Sequence, residues 1–215
     1  MALAHGRRSF ISVLAWLSGL AVFEEPAQLA AAQTGPSAEK WDLAWLDQLV
    51  GKHKQVYDYG SFDLTSDLRP FRFVRNYLDT YRDVFGLRFP EVNTTVGISR
   101  ALPVNVSDAI WTKYRLGERW KITDPSTKQP AVRNIFLGNG DDEGVKGLQA
   151  RGTVFWQCNV ALGAVAQQLA QATQQPVQEV RAELLAGLNP GVRLVPSHVM
   201  ALGMVQERGF TYFKP

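Results

Sequence analysis

Cys158 is the only cysteine in the 215-residue chain, and it closes the apolar run TVFWQC (153–158) just before Asn159 and a stretch with helical spacing. A thiol at the start of a helix meets unpaired backbone N–H groups and the positive end of the helix dipole. Both favour the thiolate, the form that thiol exchange and sulfur transfer require. The same position suits a small apolar residue, because free cysteine is among the most buried residue types. Taken alone, the residue leaves a working thiol and a core thiol both open. One cysteine cannot close a disulfide within its own chain.

The elements that must position this sulfur are read from periodicity and turn residues. TVFWQC reads as a short strand buried on both faces. KQVYDYGS (54–61), VNTTVGIS (92–99), VRLV (192–195) and FTYF (210–213) read as four more strands. Between them, Phe71, Val74, Leu78, Tyr81 and Phe85 recur at helical spacing as a core-facing stripe. Helices are also expected over SDAIWTKYRLG with Ser107 as its cap, over 159–172, over 177–187 opened by Pro176, and over 197–208. Trp41, Ala44, Trp45 and Leu49 share one face of a short amphipathic helix. Strands alternating with helices predict an α/β domain of three layers, with a mainly parallel sheet of about five strands between helices.

In such sheets ligands bind at the carboxyl ends of the strands. That edge collects Ser61 after the first strand, Arg100 after the second, Cys158 and Asn159 after the third, and Ser197 and His198 after the fourth. Cys158 is the candidate reactive group, with Ser61, Arg100, Asn159, Ser197 and His198 as candidate ligand-binding residues and Arg100 or His198 as charges favouring thiolate. Asp58 on the first strand is positioned to pair with a helix N-terminus or with Arg100. No metal site or cofactor is expected. His53 opens the first strand and His198 follows the fourth, which separates them by a strand length of roughly 20 Å. The chain has no Walker loop, no G-x-G-x-x-G after a strand, no G-x-S-x-G elbow and no H-E-x-x-H. GNGDDEG (138–144) lacks the ligand spacing and distant glutamate of a calcium loop. The long segment 117–144 reads as an ordered flap anchored by Trp120, Ile122, Val132, Ile135 and Phe136.

The start of the chain gives an address. Arg7 and Arg8, then Ser9, Phe10 and Ile11, precede an apolar stretch to Phe23, and Ala30 and Ala32 supply the A-x-A spacing of a signal peptidase site. This resembles a twin-arginine export signal, cleaved after Ala32. The apolar run of about 14 residues is shorter than the roughly 20 needed to span a bilayer, so no stable membrane span is expected after cleavage. The expectation is a signal peptide over 1–32 and a single periplasmic domain over 33–215. Cleavage removes two arginines and two glutamates, so the formal charge stays at +3. With no basic cluster interleaved with aromatics, that charge does not point to nucleic acid.

Two segments, LQARGTVFWQCNVAL (148–162) and LNPGVRLVPSHVMALGMVQERGFTYFKP (188–215), resemble the C-terminal half of the DsrE/DsrF-like sulfur-relay family. The matching features are Arg151 and Gly152 before a strand ending in Cys158, the PGV strand start at Pro190 to Val192, Pro196 before a helix, and Gln206, Gly209, Phe210 and Tyr212 near the end. The likeness covers about 70 residues well and the front half by pattern. It implies a five-stranded α/β fold, a tendency to trimers or hexamers, and a cysteine at position 158 that in some members carries persulfide sulfur. The function so implied is a periplasmic sulfur carrier, or a binder of a small thiol or anionic ligand, working through Cys158. The alternative is a non-catalytic accessory or assembly subunit that docks on a protein partner and keeps Cys158 as a structural residue.

Overall fold

The computed structural model describes residues 41–65, 69–138 and 143–215. The export signal assigned to 1–32 lies outside the described residues, and so does most of GNGDDEG. The strands are β1 (His53–Tyr59), β2 (Val92–Ile98), β3 (Val154–Cys158), β4 (Arg193–Val195) and β5 (Thr211–Phe213). All neighbours pair in parallel, in the order β4-β3-β2-β1-β5. The helices are α1 (Arg72–Phe85), α2 (Asp108–Tyr114), α3 (Leu116–Arg119), α4 (Val145–Ala150), α5 (Asn159–Thr173), α6 (Val177–Ala186) and α7 (His198–Glu207). The fold is the three-layer α/β/α arrangement expected from the alternation of elements, with a wholly parallel sheet.

Alternation along each strand sends successive side chains to opposite faces, and here the faces feed two unequal cores. Tyr57, Val96, Ile98 and Phe155 join the larger core with residues of α1, α2, α5 and α6. Val56, Trp156 and Val195 face the smaller core with Ala201 and Val205 of α7. A 3₁₀ helix at Ala44–Gln48 completes that second layer. It replaces the expected amphipathic α-helix, and its tighter three-residue turn buries Leu46 beside Trp45 and Leu49 while Ala44 stays exposed. The α1 stripe is buried from Phe71 to Leu78, but its last member, Phe85, is 64% exposed. Ser107 and Pro176 stand at the N-cap positions of α2 and α6, although the Ser107 side chain makes no capping bond. Among the described residues no helix is long and apolar enough to cross a membrane.

The described part of segment 117–144 is tied to the body of the domain. Gly117 packs directly on the backbone of Ala131, leaving no room for a β-carbon. Ile122 and Phe136 are buried, and Trp120 and Ile135 pack against the core. Val132, expected as an anchor, points outward at 72% exposure, and Ala131 takes the buried place because it faces Gly117. Asn134 is the polar staple. Its Nδ2 donates to the carbonyls of Val104 (2.9 Å) and Val106 (2.8 Å), and its Oδ1 accepts from the Phe136 N–H (3.0 Å). Asn134→Ala strands the buried Val106 carbonyl, leaves that of Val104 with only the longer bond from Asn189 (3.3 Å), and is expected to cost about 1–3 kcal/mol, read as a lower urea midpoint with unchanged slope. An unchanged midpoint would leave the apolar anchors as the whole attachment.

Candidate functional site

Register builds the site. Asp58 on β1 lies opposite Gly97 on β2, and Gly97 lies opposite Trp156 on β3, which places all three in one row across the sheet. The His198 ring, from the first residue of α7, lies over this row. Its Nε2 bonds the Asp58 Oδ1 at 2.7 Å, and its Nδ1 accepts from the Trp156 indole N–H at 3.2 Å. An indole nitrogen only donates, so this network places the ring hydrogen on Nε2. The glycines supply the space. A β-carbon on Gly97 would sit 2.5 Å from the Trp156 ring and 2.7 Å from His198 Cε1. One on Gly60 would sit 2.6 Å from His198 Nε2.

Asp58 is the other hub of the network. Its Oδ1 also accepts the Gly60 N–H (2.8 Å), and its Oδ2 accepts the Tyr212 hydroxyl from β5 (2.6 Å). Burial pushes the Asp58 carboxyl up, but the hydrogen bonds from Tyr212, the Gly60 amide and His198 outweigh it and hold the group below its ordinary value. Reciprocally, the carboxylate at its hydroxyl pushes the Tyr212 phenol up to about 12.

Cys158 ends β3 and is the N-cap of α5. Its Sγ accepts the Ala161 N–H of α5 at 3.4 Å and the His198 N–H of α7 at 3.3 Å. Two helix starts therefore aim backbone donors at one sulfur, and each leaves partial positive charge there. The residue is only 4% exposed, yet it lines a cleft of about 1100 Å³ at the carboxyl edge of the sheet.

That cleft brings together five of the six residues expected from the sequence: Ser61, Arg100, Cys158, Ser197 and His198. Asn159 is not among them. It begins α5 turned away from Cys158, and its Oδ1 accepts from Arg181 of α6 (2.8 Å), in a separate surface hollow that both residues line. His198 also differs from its expected role. Both ring nitrogens are occupied by Asp58 and Trp156, so its contribution to the sulfur is its backbone N–H, not a cationic ring. Asp58 pairs with His198 rather than with Arg100. His53, at the far end of β1, stacks on Tyr81 at 4.6 Å between centroids. Among the described residues no group of three His, Cys, Asp or Glu side chains could hold a metal ion.

The sequence reading missed Gly97, Trp156 and Tyr212 as parts of the frame. Gly97 carried the clearest signal, since glycine inside a buried strand marks a close approach by another group. The cleft thus gathers arginine, serine hydroxyls and a sulfur that accepts two backbone hydrogen bonds. No family model matches the chain, and no curated protein matches it. Among solved structures it is similar to a protein of unknown function from Methanobacterium thermoautotrophicum, with 15% sequence identity, coverage of 75% of this chain and 95% of that one, and a TM-score of 0.37.

Two outcomes are expected. Gly97→Ala forces the indole and imidazole apart and should destabilise the fold by about 1–3 kcal/mol, measured by urea unfolding, with altered Trp156 fluorescence. Asp58 ionises more readily in the folded chain, so its contribution to stability is present above the ordinary carboxylate range and is lost as pH falls through its lowered value. Asp58→Asn removes that component, and urea midpoints followed from neutral to acid pH should decline less steeply in the variant than in the wild type.

Proposed function

We propose that the chain is an exported DsrE-like sulfur carrier in which Cys158 accepts sulfur from a small sulfur-containing or anionic donor bound in the cleft. The observation that carries this reading is the convergence of two helix-start N–H groups, from Ala161 and His198, on the Cys158 sulfur inside a cleft that Arg100 also lines. Those donors favour a negatively charged sulfur. Arg100 holds the donor's charge, and Ser61 and Ser197 hydroxyls orient it. His198 is a positioning residue that keeps the start of α7 fixed over Cys158 through its ring bonds.

The step is an exchange without net oxidation. The Cys158 thiolate attacks the outer sulfur of a persulfide, R–S–S⁻. The donor's S–S bond breaks, its electron pair leaves on R–S⁻, and a new S–S bond forms on Cys158, giving Cys–S–S⁻. Attack by an acceptor thiolate on that outer sulfur reverses the exchange and restores Cys158. The twin-arginine-like start of the sequence and the resemblance to the sulfur-relay family support a periplasmic location. The same resemblance supports assembly into trimers or hexamers, which sedimentation of the purified chain would reveal.

The test is intact mass spectrometry of the native chain after exposure to polysulfide. One added sulfur atom per chain, removed by reductant and absent in Cys158→Ser, is expected, and Arg100→Gln should slow the uptake about tenfold. A Cys158 that resists both alkylation and polysulfide in the native chain but reacts after unfolding would make it a core residue. The chain would then be a non-catalytic accessory or assembly subunit.

A further inference from the structure

The cleft is much larger than an inorganic sulfur anion requires. Its volume of about 1100 Å³ matches the upper end of pockets that hold organic ligands, roughly 300–1000 Å³. Its lining is also divided by chemistry. The strand ends contribute Cys158, Arg100 and hydroxyls, whereas Val160, Ala164, Val165, Leu169, Trp120 and Leu202 give the remainder an apolar wall. Along α5 that wall runs from Ala161 to Leu169, eight residues or about 12 Å at the helical rise, and Gln168 is the polar side chain along it.

The charge balance has one sign. Asp58 is the carboxylate lining the cleft, and it is occupied by Gly60, His198 and Tyr212. Arg119 spends its Nε on the Tyr114 carbonyl at 2.8 Å. Arg100 is exposed at the cleft, and its guanidinium has no hydrogen-bond or ion-pair partner among the described residues. Val160 and Val199, in the first turns of α5 and α7, also line the cleft, at 67% and 75% exposure. A free cation next to the reactive edge and a long apolar wall leading from it fit one class of molecule.

We infer that the natural ligand is an organic anion with an apolar chain, its charged head at Arg100 and Cys158 and its chain along the α5 wall. This rests on the cleft being the ligand site proposed above, and it narrows the sulfur donor to an apolar-tailed persulfide rather than an inorganic one. Burying the chain supplies the binding free energy at about 0.8 kcal/mol per methylene, while Arg100 selects the charge of the head.

Decanoate is the stable probe, with acetate and decylammonium as its head-only and charge-reversed counterparts, each titrated into the full chain by calorimetry. The expected result is one saturable decanoate per chain, with acetate at least about a hundredfold weaker and decylammonium weaker than decanoate. Arg100→Gln should weaken decanoate about tenfold, and Val160→Asp should weaken it further at an exposed position that leaves the fold intact. Equal affinity for decanoate and acetate, or wild-type affinity in both variants, would overturn the inference. Bound decanoate should also block polysulfide uptake at Cys158. Saturable binding with no sulfur uptake would remove the sulfur chemistry and leave the ligand class standing. Sulfur uptake without decanoate binding would remove the ligand class alone.

Discussion

His198 presents one ring nitrogen to a carboxylate on β1 and the other to an indole on β3, and the ring can span them because β2, lying between, carries glycine at 97. The same register that aligns Asp58, Gly97 and Trp156 fixes the width of the gap the ring must fill. Within a buried setting a polar network stabilises only when every member is satisfied, and here each ring nitrogen and each Asp58 oxygen has a partner. Trp156 is itself packed against Trp45 of the 3₁₀ helix, the rings tilted by 42° with centroids 6.2 Å apart. The position of the α7 start is therefore set by strand spacing, with little left to loop geometry.

That position decides what Cys158 experiences. An N-cap ordinarily satisfies one helix start, with an oxygen. At Cys158 a sulfur caps α5 and also receives the first N–H of α7, from a helix on the opposite layer of the sheet. Strand β4 makes this geometry available, because Cys158 pairs with Val195 in register and the chain then needs only Pro196 and Ser197 to bring α7 to the sulfur. Low exposure shields the sulfur from bulky reagents, and the two amides give it hydrogen-bond partners from both helical layers.

Hydrophobic spacing made the layers, the five strands and the rim residues legible, since these depend on local pattern and on the rule that strand ends gather in an open sheet. What lay beyond reach depended on register. Asp58, Trp156 and His198 come together because β1, β2 and β3 are adjacent and unshifted, which no single segment encodes. Asn159 shows the converse. It neighbours Cys158 in sequence, but one residue of helix turns its side chain toward Arg181 and away from the cleft. The anchors of the 117–144 segment were mostly legible as apolar residues, whereas the choice of Ala131 over Val132 followed from the backbone approach at Gly117.

Tyr212 reaches Asp58 across 154 residues of sequence, from a strand that flanks β1 on the side away from β2. Of the three groups bonded to that carboxylate only the Gly60 amide is local, while His198 lies 140 residues further along the chain. The carboxylate that orients the His198 ring is therefore fully satisfied only when segments far apart in sequence share one sheet, so any loosening of β5 reaches the sulfur through a single side chain.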